Sequence, residues 1–159
     1  MNGDFDFLTG EWDVTNRRLV ERHVGSERWD EFPGRSVVRP FFDGAGNFDE
    51  ITFPTKGFSG ATVRLHEPAA DDWTITWINS RDGLLTSPMR GRFEGGVGTF
   101  YGDDTDDGRA IRGRFIWSRI MATSCHWEQA FSTDGGHTWE TNWTMAFVRR
   151  AVEDQESSR

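Results

Sequence analysis

The chain alternates apolar and polar positions over short segments, and almost nothing in it repeats at the helical period of about 3.6 residues. In the segment DWTITWINS, for example, Trp73, Ile75 and Trp77 alternate with Thr74 and Thr76. Successive side chains of a strand point to opposite faces, so this segment would present one aromatic face. Clusters of Gly, Asp, Asn and Pro between the segments predict turns. The pattern predicts about ten strands, near 11–21, 27–39, 47–53, 58–66, 72–79, 88–94, 97–103, 110–118, 124–132 and 138–149.

The connections between these strands are mostly short, which favours antiparallel hairpins between consecutive strands. A meander of this length leaves two exposed edges unless it closes on itself. We therefore predict an all-β fold, an antiparallel up-and-down β-barrel of about ten strands formed by a single domain over 1–150. The polar residues 151–159 are predicted to form a flexible tail.

Several stretches resemble a known superfamily. FLTGEWDV carries the Gly-x-Trp of calycin barrels in Gly10 and Trp12, and the last predicted strand ends in Arg149 and Arg150, where such barrels often place a basic side chain over that tryptophan. More widely, the chain resembles a group of small bacterial lipocalin-like domains related to the DUF1579 type, in FLTGEWDVTNRRL, GAGNFDE, GRFEGGVGTFYGDDT, IRGRFIWS and HWEQAFSTDGGHTWETNW. The resemblance implies a lipocalin-like barrel with a binding cavity and with Trp12 as a structural plug, and it implies no particular reaction.

The stretch STDGGHTW fits S-x-D-x-G-x-T-W, the Asp-box pattern of sialidase propellers. A sialidase is excluded because the chain is short, the motif is not repeated, and glycoside hydrolysis needs two carboxylates across a cleft. We interpret the stretch as the turn of the last hairpin, near the C-terminus. Asp134 would accept backbone N–H bonds, Gly136 would be left-handed, and Trp139 would pack back on the hairpin.

Composition excludes several classes of function. A formal net charge of −8 argues against nucleic-acid binding, which needs clustered Lys and Arg. No apolar run approaches the roughly 20 residues of a membrane span, and MNGDFDFLTGEW lacks the features of a signal peptide. We therefore expect a cytoplasmic protein that binds neither membrane nor nucleic acid. The single cysteine, Cys125, excludes a disulfide within the chain.

No motif calls for a metal or a cofactor, and we expect neither. The four histidines are scattered singly, without metal-ligand spacing. Small barrels of the nitrobindin kind bind haem through one histidine on a late strand, but strand parity places His126 opposite Trp127 and Phe131, on the outer face. Nucleophilic catalysis and dinucleotide binding lack support, because the chain has no G-x-S-x-G motif and its glycine clusters lie in hairpins.

Polar residues share the aromatic faces of the predicted strands, which is the composition of a small-molecule pocket. Glu31 and Glu50, with Asp49 as an alternative to Glu50, are the nearest candidate partners for Arg18. A structural ion pair of Arg18, and a barrel simply filled by its aromatic residues, remain open alternatives. The predicted ligand-binding residues are Asn16, Arg18, Trp77, Asn79, Trp117, Gln129 and Trp143.

Two functions of different class follow. The first is a binding protein that holds a small apolar or aromatic molecule with a carbonyl, carboxylate or phenolic oxygen inside the barrel. The second is a cofactor-independent enzyme, an isomerase, cyclase or lyase of the kind found in secondary metabolism. In that enzyme Glu31 or Glu50 would be the general acid or base and Arg18 would hold an oxyanion. An apolar outer stripe with Ile78 and Ile116 would allow a homodimer.

Overall fold

Ten strands and two short 3-10 turns account for the regular structure of the computed structural model, which describes residues 3–151. The 3-10 turns are Asp6–Leu8 and Phe42–Gly44. The strands are β1 Gly10–Leu19, β2 Trp29–Phe41, β3 Gly46–Phe53, β4 Phe58–Glu67, β5 Asp72–Asn79, β6 Met89–Glu94, β7 Val97–Asp106, β8 Arg109–Ser118, β9 Ser124–Ser132 and β10 Glu140–Arg149.

Each strand pairs antiparallel with the strand that follows it, and β1 pairs with β10, so the sheet closes into a barrel. The closing pair runs from Trp12 opposite Arg149 to Arg18 opposite Trp143. Closure removes the two edges that an open meander would expose to solvent. The predicted all-β, up-and-down barrel is therefore confirmed. Of the predicted tail, residues 152–159 lie outside the described residues.

One end of the barrel is closed by the segment before β1. Trp12 is fully buried there, and its Nε1 donates a hydrogen bond to the carbonyl oxygen of Leu8 at 2.8 Å. The Arg149 guanidinium lies 4.2 Å from the Trp12 ring centre and donates hydrogen bonds to the carbonyls of Thr9 and Phe7, at 2.6 and 2.7 Å. The basic side chain that the resemblance placed over Trp12 is thus Arg149, and Trp12 has the position of a plug.

The hairpin between β9 and β10 has the hydrogen bonds expected of its sequence. Asp134 Oδ1 accepts the backbone N–H groups of His137 and Thr138, at 3.0 and 2.9 Å, and its Oδ2 accepts the Thr138 hydroxyl at 2.6 Å. Gly136 has a φ of 95°, in the left-handed region, and the Trp139 ring lies under the Arg114 guanidinium at 4.4 Å. These hydrogen bonds hold the pKa of Asp134 far below its ordinary value. The geometry is that of a tight, self-bonded turn.

Candidate functional site: an aromatic cavity with a buried ion pair

The barrel encloses a cavity of about 130 Å³ next to the plugged end. Its walls are largely aromatic, formed by Trp77, Phe115, Trp117, Trp127, Phe131, Trp143 and Phe147. Its polar lining is small and consists of Ser36, Asp49, Thr62, Arg64 and Gln129 inside, with Thr86, Ser87 and Asp104 where it meets solvent. A mostly apolar pocket with a few convergent polar groups is the usual form of a small-molecule site.

Glycines on the inner face of the sheet make room for these rings. A Cβ atom at Gly60 would overlap the ring of Trp77, so Trp77 can lie across β4 only because that position has no side chain. A Cβ at Gly113 would meet Met89 Cε at 3.3 Å, and Gly113 faces the cavity. The free volume therefore depends on small residues in the strands as well as on large ones.

A buried ion pair forms part of the inner wall. Arg64 Nη1 lies 2.7 Å from Asp49 Oδ2 and donates a hydrogen bond to Asn47 Oδ1 at 2.9 Å. Both Asp49 and Arg64 are only 5% exposed. Burial raises the pKa of Asp49, and the Arg64 charge and hydrogen bonds from Thr62 oppose that rise. Arg64 Nε is buried and has no hydrogen-bond partner among residues 3–151.

Aromatic rings hold the Arg64 guanidinium in place. Its centre lies 5.5 Å from the Phe5 ring and 5.6 Å from the Trp117 ring, within the range of cation–π attraction. Phe5 belongs to the plug at the closed end, and Trp117 lines the cavity. The ion pair therefore lies toward the closed end of the cavity, between the plug and the free volume.

Two of the predicted site residues lie behind Trp143 instead of in the cavity. Asn16 is fully buried, accepts a hydrogen bond from Trp143 Nε1 at 3.0 Å and donates to the Phe32 carbonyl at 3.2 Å. The Arg18 guanidinium stacks on the Trp143 ring at 4.6 Å. Burial and the nearby Arg22 lower the pKa of Arg18. Asn16 and Arg18 therefore position Trp143, which itself faces the cavity.

Of the other two polar residues predicted for the site, Asn79 and Gln129, only Gln129 lines the cavity. Asn79 Oδ1 accepts the backbone N–H of Arg81 at 2.9 Å, so it caps the turn after β5 and does not line the cavity. Gln129 does line the cavity, and its Nε2 donates to Asn142 Oδ1 at 2.8 Å. A register shift between Thr141 and Trp143 turns Asn142 to a buried position, which strand parity alone did not predict. The three predicted tryptophans Trp77, Trp117 and Trp143 line the cavity, and their role in ligand binding stays a prediction.

The expectation that Glu31 and Glu50 face the cavity is wrong. Both are exposed, because the inward positions of β2 are Phe32, Gly34 and Ser36 and those of β3 include Asp49. In β3 the aromatic Phe48 faces outward and is 46% exposed, whereas Asp49 shares the inward face with the buried Ile51 and Phe53.

Sequence reasoning missed Arg64 because of the residue pattern of β4. In β4 the buried positions are Phe58, Gly60, Thr62 and Arg64, whereas Val63 and Leu65 face outward. Hydrophobic alternation therefore favours the wrong face of β4. The signal that could have found the pair is register, because the β3–β4 hairpin places Asn47 opposite Arg64 and so puts Asp49 and Arg64 on one face.

No metal or thiol chemistry is apparent in the part of the chain that the structure describes. Among residues 3–151, no group of three His, Cys, Asp or Glu side chains is placed to hold a metal ion. His126 does not line the cavity and belongs to the opposite set of positions on β9 from Cys125 and Trp127, which are buried. Burial raises the pKa of the Cys125 thiol to about 12, so the thiolate form is scarce at neutral pH.

Comparison with known proteins supports the fold. No protein-family model matches the chain, and no curated protein matches it. Among solved structures, an S-type phycobiliprotein lyase, CPES, from Guillardia theta is similar, with a TM-score of 0.59 and 11% sequence identity. The match covers 93% of this chain and 91% of that chain. At this identity the likeness shows a shared lipocalin-like barrel fold and no more.

Proposed function

We propose that the protein binds a small, planar aromatic or apolar molecule inside the barrel, and that the molecule carries an oxygen that accepts a hydrogen bond. The observation that carries this proposal is the cavity, whose aromatic walls enclose one buried ion pair, Asp49 with Arg64. Large ring surfaces supply affinity by burial and stacking, and a few polar groups supply orientation.

In this proposal the ligand oxygen accepts a hydrogen bond from Arg64 and not from Arg18. The Arg64 Nε–H is a buried donor without a partner among the described residues, and such a group typically costs about 1–3 kcal/mol. A ligand oxygen or a water that reached it would remove that cost. Trp77 and Trp127 each approach Trp143 with near-perpendicular rings, at 6.3 and 5.9 Å. A planar ligand would stack on these rings.

A cavity-filling variant tests the proposal. Gly113→Leu extends a side chain into the free volume next to the flexible end of Met89, whereas Ala110→Leu adds the same side chain at an exposed position of the same strand. Native mass spectrometry of the purified protein first identifies any small molecule that it carries, and titration calorimetry with that molecule follows. We expect Gly113→Leu to abolish binding while it remains folded and Ala110→Leu to bind normally. Equal binding by both variants would place the ligand elsewhere.

The second candidate is a cofactor-independent enzyme that uses the same cavity, an isomerase, cyclase or lyase of secondary metabolism. One observation favours it, since a desolvated carboxylate with a raised pKa, Asp49, lines the cavity beside a guanidinium. Such a carboxylate is suited to proton transfer, and Arg64 could hold the developing oxyanion. The similar barrel from Guillardia theta is named as a lyase, so this type of fold is compatible with catalysis as well as binding.

Proton exchange separates the two functions. The bound molecule is incubated with the protein in D₂O, and its carbon-bound hydrogens are followed by NMR. An enzyme of this kind would introduce deuterium or convert the ligand, and Asp49→Asn would stop that reaction while the folded fraction still binds. A pure binding protein would leave the ligand unchanged.

The remaining expectations stay proposals. Within the described residues no helix is both long enough and apolar enough to cross a membrane. We propose a cytoplasmic location and kinship with the DUF1579-type and Asp-box sequences. We also propose a homodimer that forms through the apolar stripe with Ile78 and Ile116. The subunit count from the same native mass spectrum tests the dimer.

A further inference from the structure

The barrel wall has a gap beside β6, the shortest strand. β6 pairs with β5 only from Trp73 to Ile75, and with β7 only from Val97 to Tyr101. Beyond these ladders, the only β-bridge on this side of β5 joins Ile78 to Leu85, among residues 3–151. The segment Gly102–Asp106 of β7 has a ladder partner on the β8 side alone within the same residues. We call this gap, bordered by Thr86, Ser87 and Asp104, the side portal.

The cavity reaches solvent at the side portal. Ser87 and Asp104 both line the cavity, and both are exposed. Thr86 is fixed at the border, because its Oγ1 donates to the Trp77 carbonyl at 2.7 Å. A ligand that entered here would pass between Asp104 and Ser87. It would then meet the ring of Trp77, a β5 residue that lines the cavity.

Asp104 is the carboxylate at the side portal that no cation neutralises. Its neighbour Asp106 is held by Arg22 and His23, at 2.7 and 2.9 Å. Asp103, on the outer face, pairs with Arg112 at 3.2 Å. Asp104 accepts only the backbone N–H of Thr105, at 2.8 Å, and has no ion pair with any residue from 3 to 151.

The charges that line the cavity therefore sum to about one negative charge. Asp49 and Arg64 compensate each other at 2.7 Å, and Asp104 remains. Other arginines at this end are turned to other partners, since Arg18 stacks on Trp143 and Arg81 lies 4.0 Å over the Phe58 ring, and neither lines the cavity. The chain as a whole carries a formal net charge of −8. An anionic ligand is disfavoured at each of these levels.

We infer that the side portal selects aromatic ligands that carry a protonated amine, with the ammonium beside Asp104 and the ring among the tryptophans. This inference rests on the proposed binding function and names the ligand class of that site. The ammonium would gain the Asp104 charge and the faces of nearby aromatic rings, which attract cations. An exposed charge pair of this kind is worth up to about fivefold in affinity, and the matching repulsion acts against a carboxylate.

Three probes with the same ring system test the inference. They are 2-(1-naphthyl)ethylamine as the cation, 1-naphthylacetate as the anion and 1-ethylnaphthalene as the neutral compound, each titrated by calorimetry at low and at high salt. We expect the amine to bind about tenfold more tightly than the acid at low salt, and the ratio to fall at high salt because exposed charges are screened. Asp104→Asn should lower the ratio about fivefold. Asp103→Asn, one residue away but on the outer face, is the matched control and should leave the ratio unchanged.

The outcomes separate this inference from the function on which it rests. If the three probes bind with similar affinity, or the acid binds best, the cavity binds aromatic molecules but the side portal does not select amines. The same conclusion follows if Asp103→Asn changes the ratio as much as Asp104→Asn. If none of the probes binds and Gly113→Leu behaves like the parent protein throughout, the binding function itself fails and the inference fails with it.

Discussion

Removal of the Arg64 charge is the most informative single perturbation of this barrel. In Arg64→Met an unbranched apolar side chain replaces the guanidinium, and Asp49 loses the partner that lies 2.7 Å from it. The Asn47 Oδ1 loses its donor as well, at 2.9 Å. The side chains of Asp49 and Arg64 are each 6% exposed, so water replaces the lost contacts poorly.

The magnitude follows from that burial. Breaking a buried ion pair by removing one partner typically costs about 3–5 kcal/mol, because the remaining charge is left without compensation. Replacing both partners with apolar residues of similar volume is often neutral or even stabilising. We therefore expect Arg64→Met to lower the free energy of unfolding by about 3–5 kcal/mol, and Asp49→Leu/Arg64→Met to recover most of that loss.

Urea denaturation of the parent, both single variants and the double variant gives the coupling free energy of the pair. The pH dependence supplies a second signature. Because burial raises the pKa of Asp49, the folded state binds this proton more tightly than the unfolded chain, and the contribution of Asp49 to stability falls as pH rises above about 4. Without Arg64 the pKa of Asp49 in the folded state rises further and that fall continues to higher pH, so the difference between the parent and Arg64→Met should grow with pH and shrink on acidification.

A loss below about 1 kcal/mol for Arg64→Met, independent of pH, would refute the reasoning. It would mean that the cavity solvates Asp49 well enough to replace the guanidinium, and that the pair is effectively exposed. A double variant as unstable as the single one would also contradict it, since the cost would then come from lost packing against Phe5 and Trp117 instead of from unpaired charge.

Three further predictions concern other parts of the molecule. Cys125 should react with a thiol reagent only on unfolding, because it is buried and its pKa is raised to about 12; rapid labelling of the native protein would contradict this. Asp134→Ala should lower Tm by removing the acceptor of the turn, yet leave ligand affinity in the folded fraction unchanged; calorimetry and a binding titration measure the two effects. Hydrogen bonds from Arg22 and His23 lower the pKa of Asp106, so its contribution to stability is present above about pH 4 and is lost as pH falls; Asp106→Asn should lower the urea midpoint at pH 7 and have less effect at pH 3.

The barrel itself could be predicted from local patterns because each hairpin carries its own turn chemistry and an aromatic inner face. The β5 residues Trp73 and Ile75 are buried, and Trp77 lines the cavity, as the alternation indicates. Because the connections are short, consecutive strands pair with one another. Closure of the sheet then pairs the backbone N–H and C=O groups of the two edge strands.

The polar part of the site could not be predicted in this way, because hydrophobic alternation assigns the wrong face in β4 and is interrupted by the exposed Phe48 in β3. Phe48 and Leu65 lie outside, at 46% and 38% exposure, while Asp49 and Arg64 lie inside. Asn16 and Arg18 do lie at inward positions of β1, but the Trp143 ring separates them from the cavity. Strand parity tells which face a side chain occupies and does not tell whether another side chain covers it.

The failure of the pattern in β4, and its interruption by Phe48 in β3, are themselves an argument about function. A barrel that side chains merely filled would not need a charged pair at positions 49 and 64, since an apolar replacement of a buried ion pair is often neutral or stabilising. This chain places a charged pair there and apolar side chains on the solvent face of the same strands. Local conflicts of this kind concentrate where a site needs them. The coupling cycle therefore bears on function as well: if Asp49→Leu/Arg64→Met is at least as stable as the parent but loses the ligand, the pair is present for binding or chemistry and not for the fold.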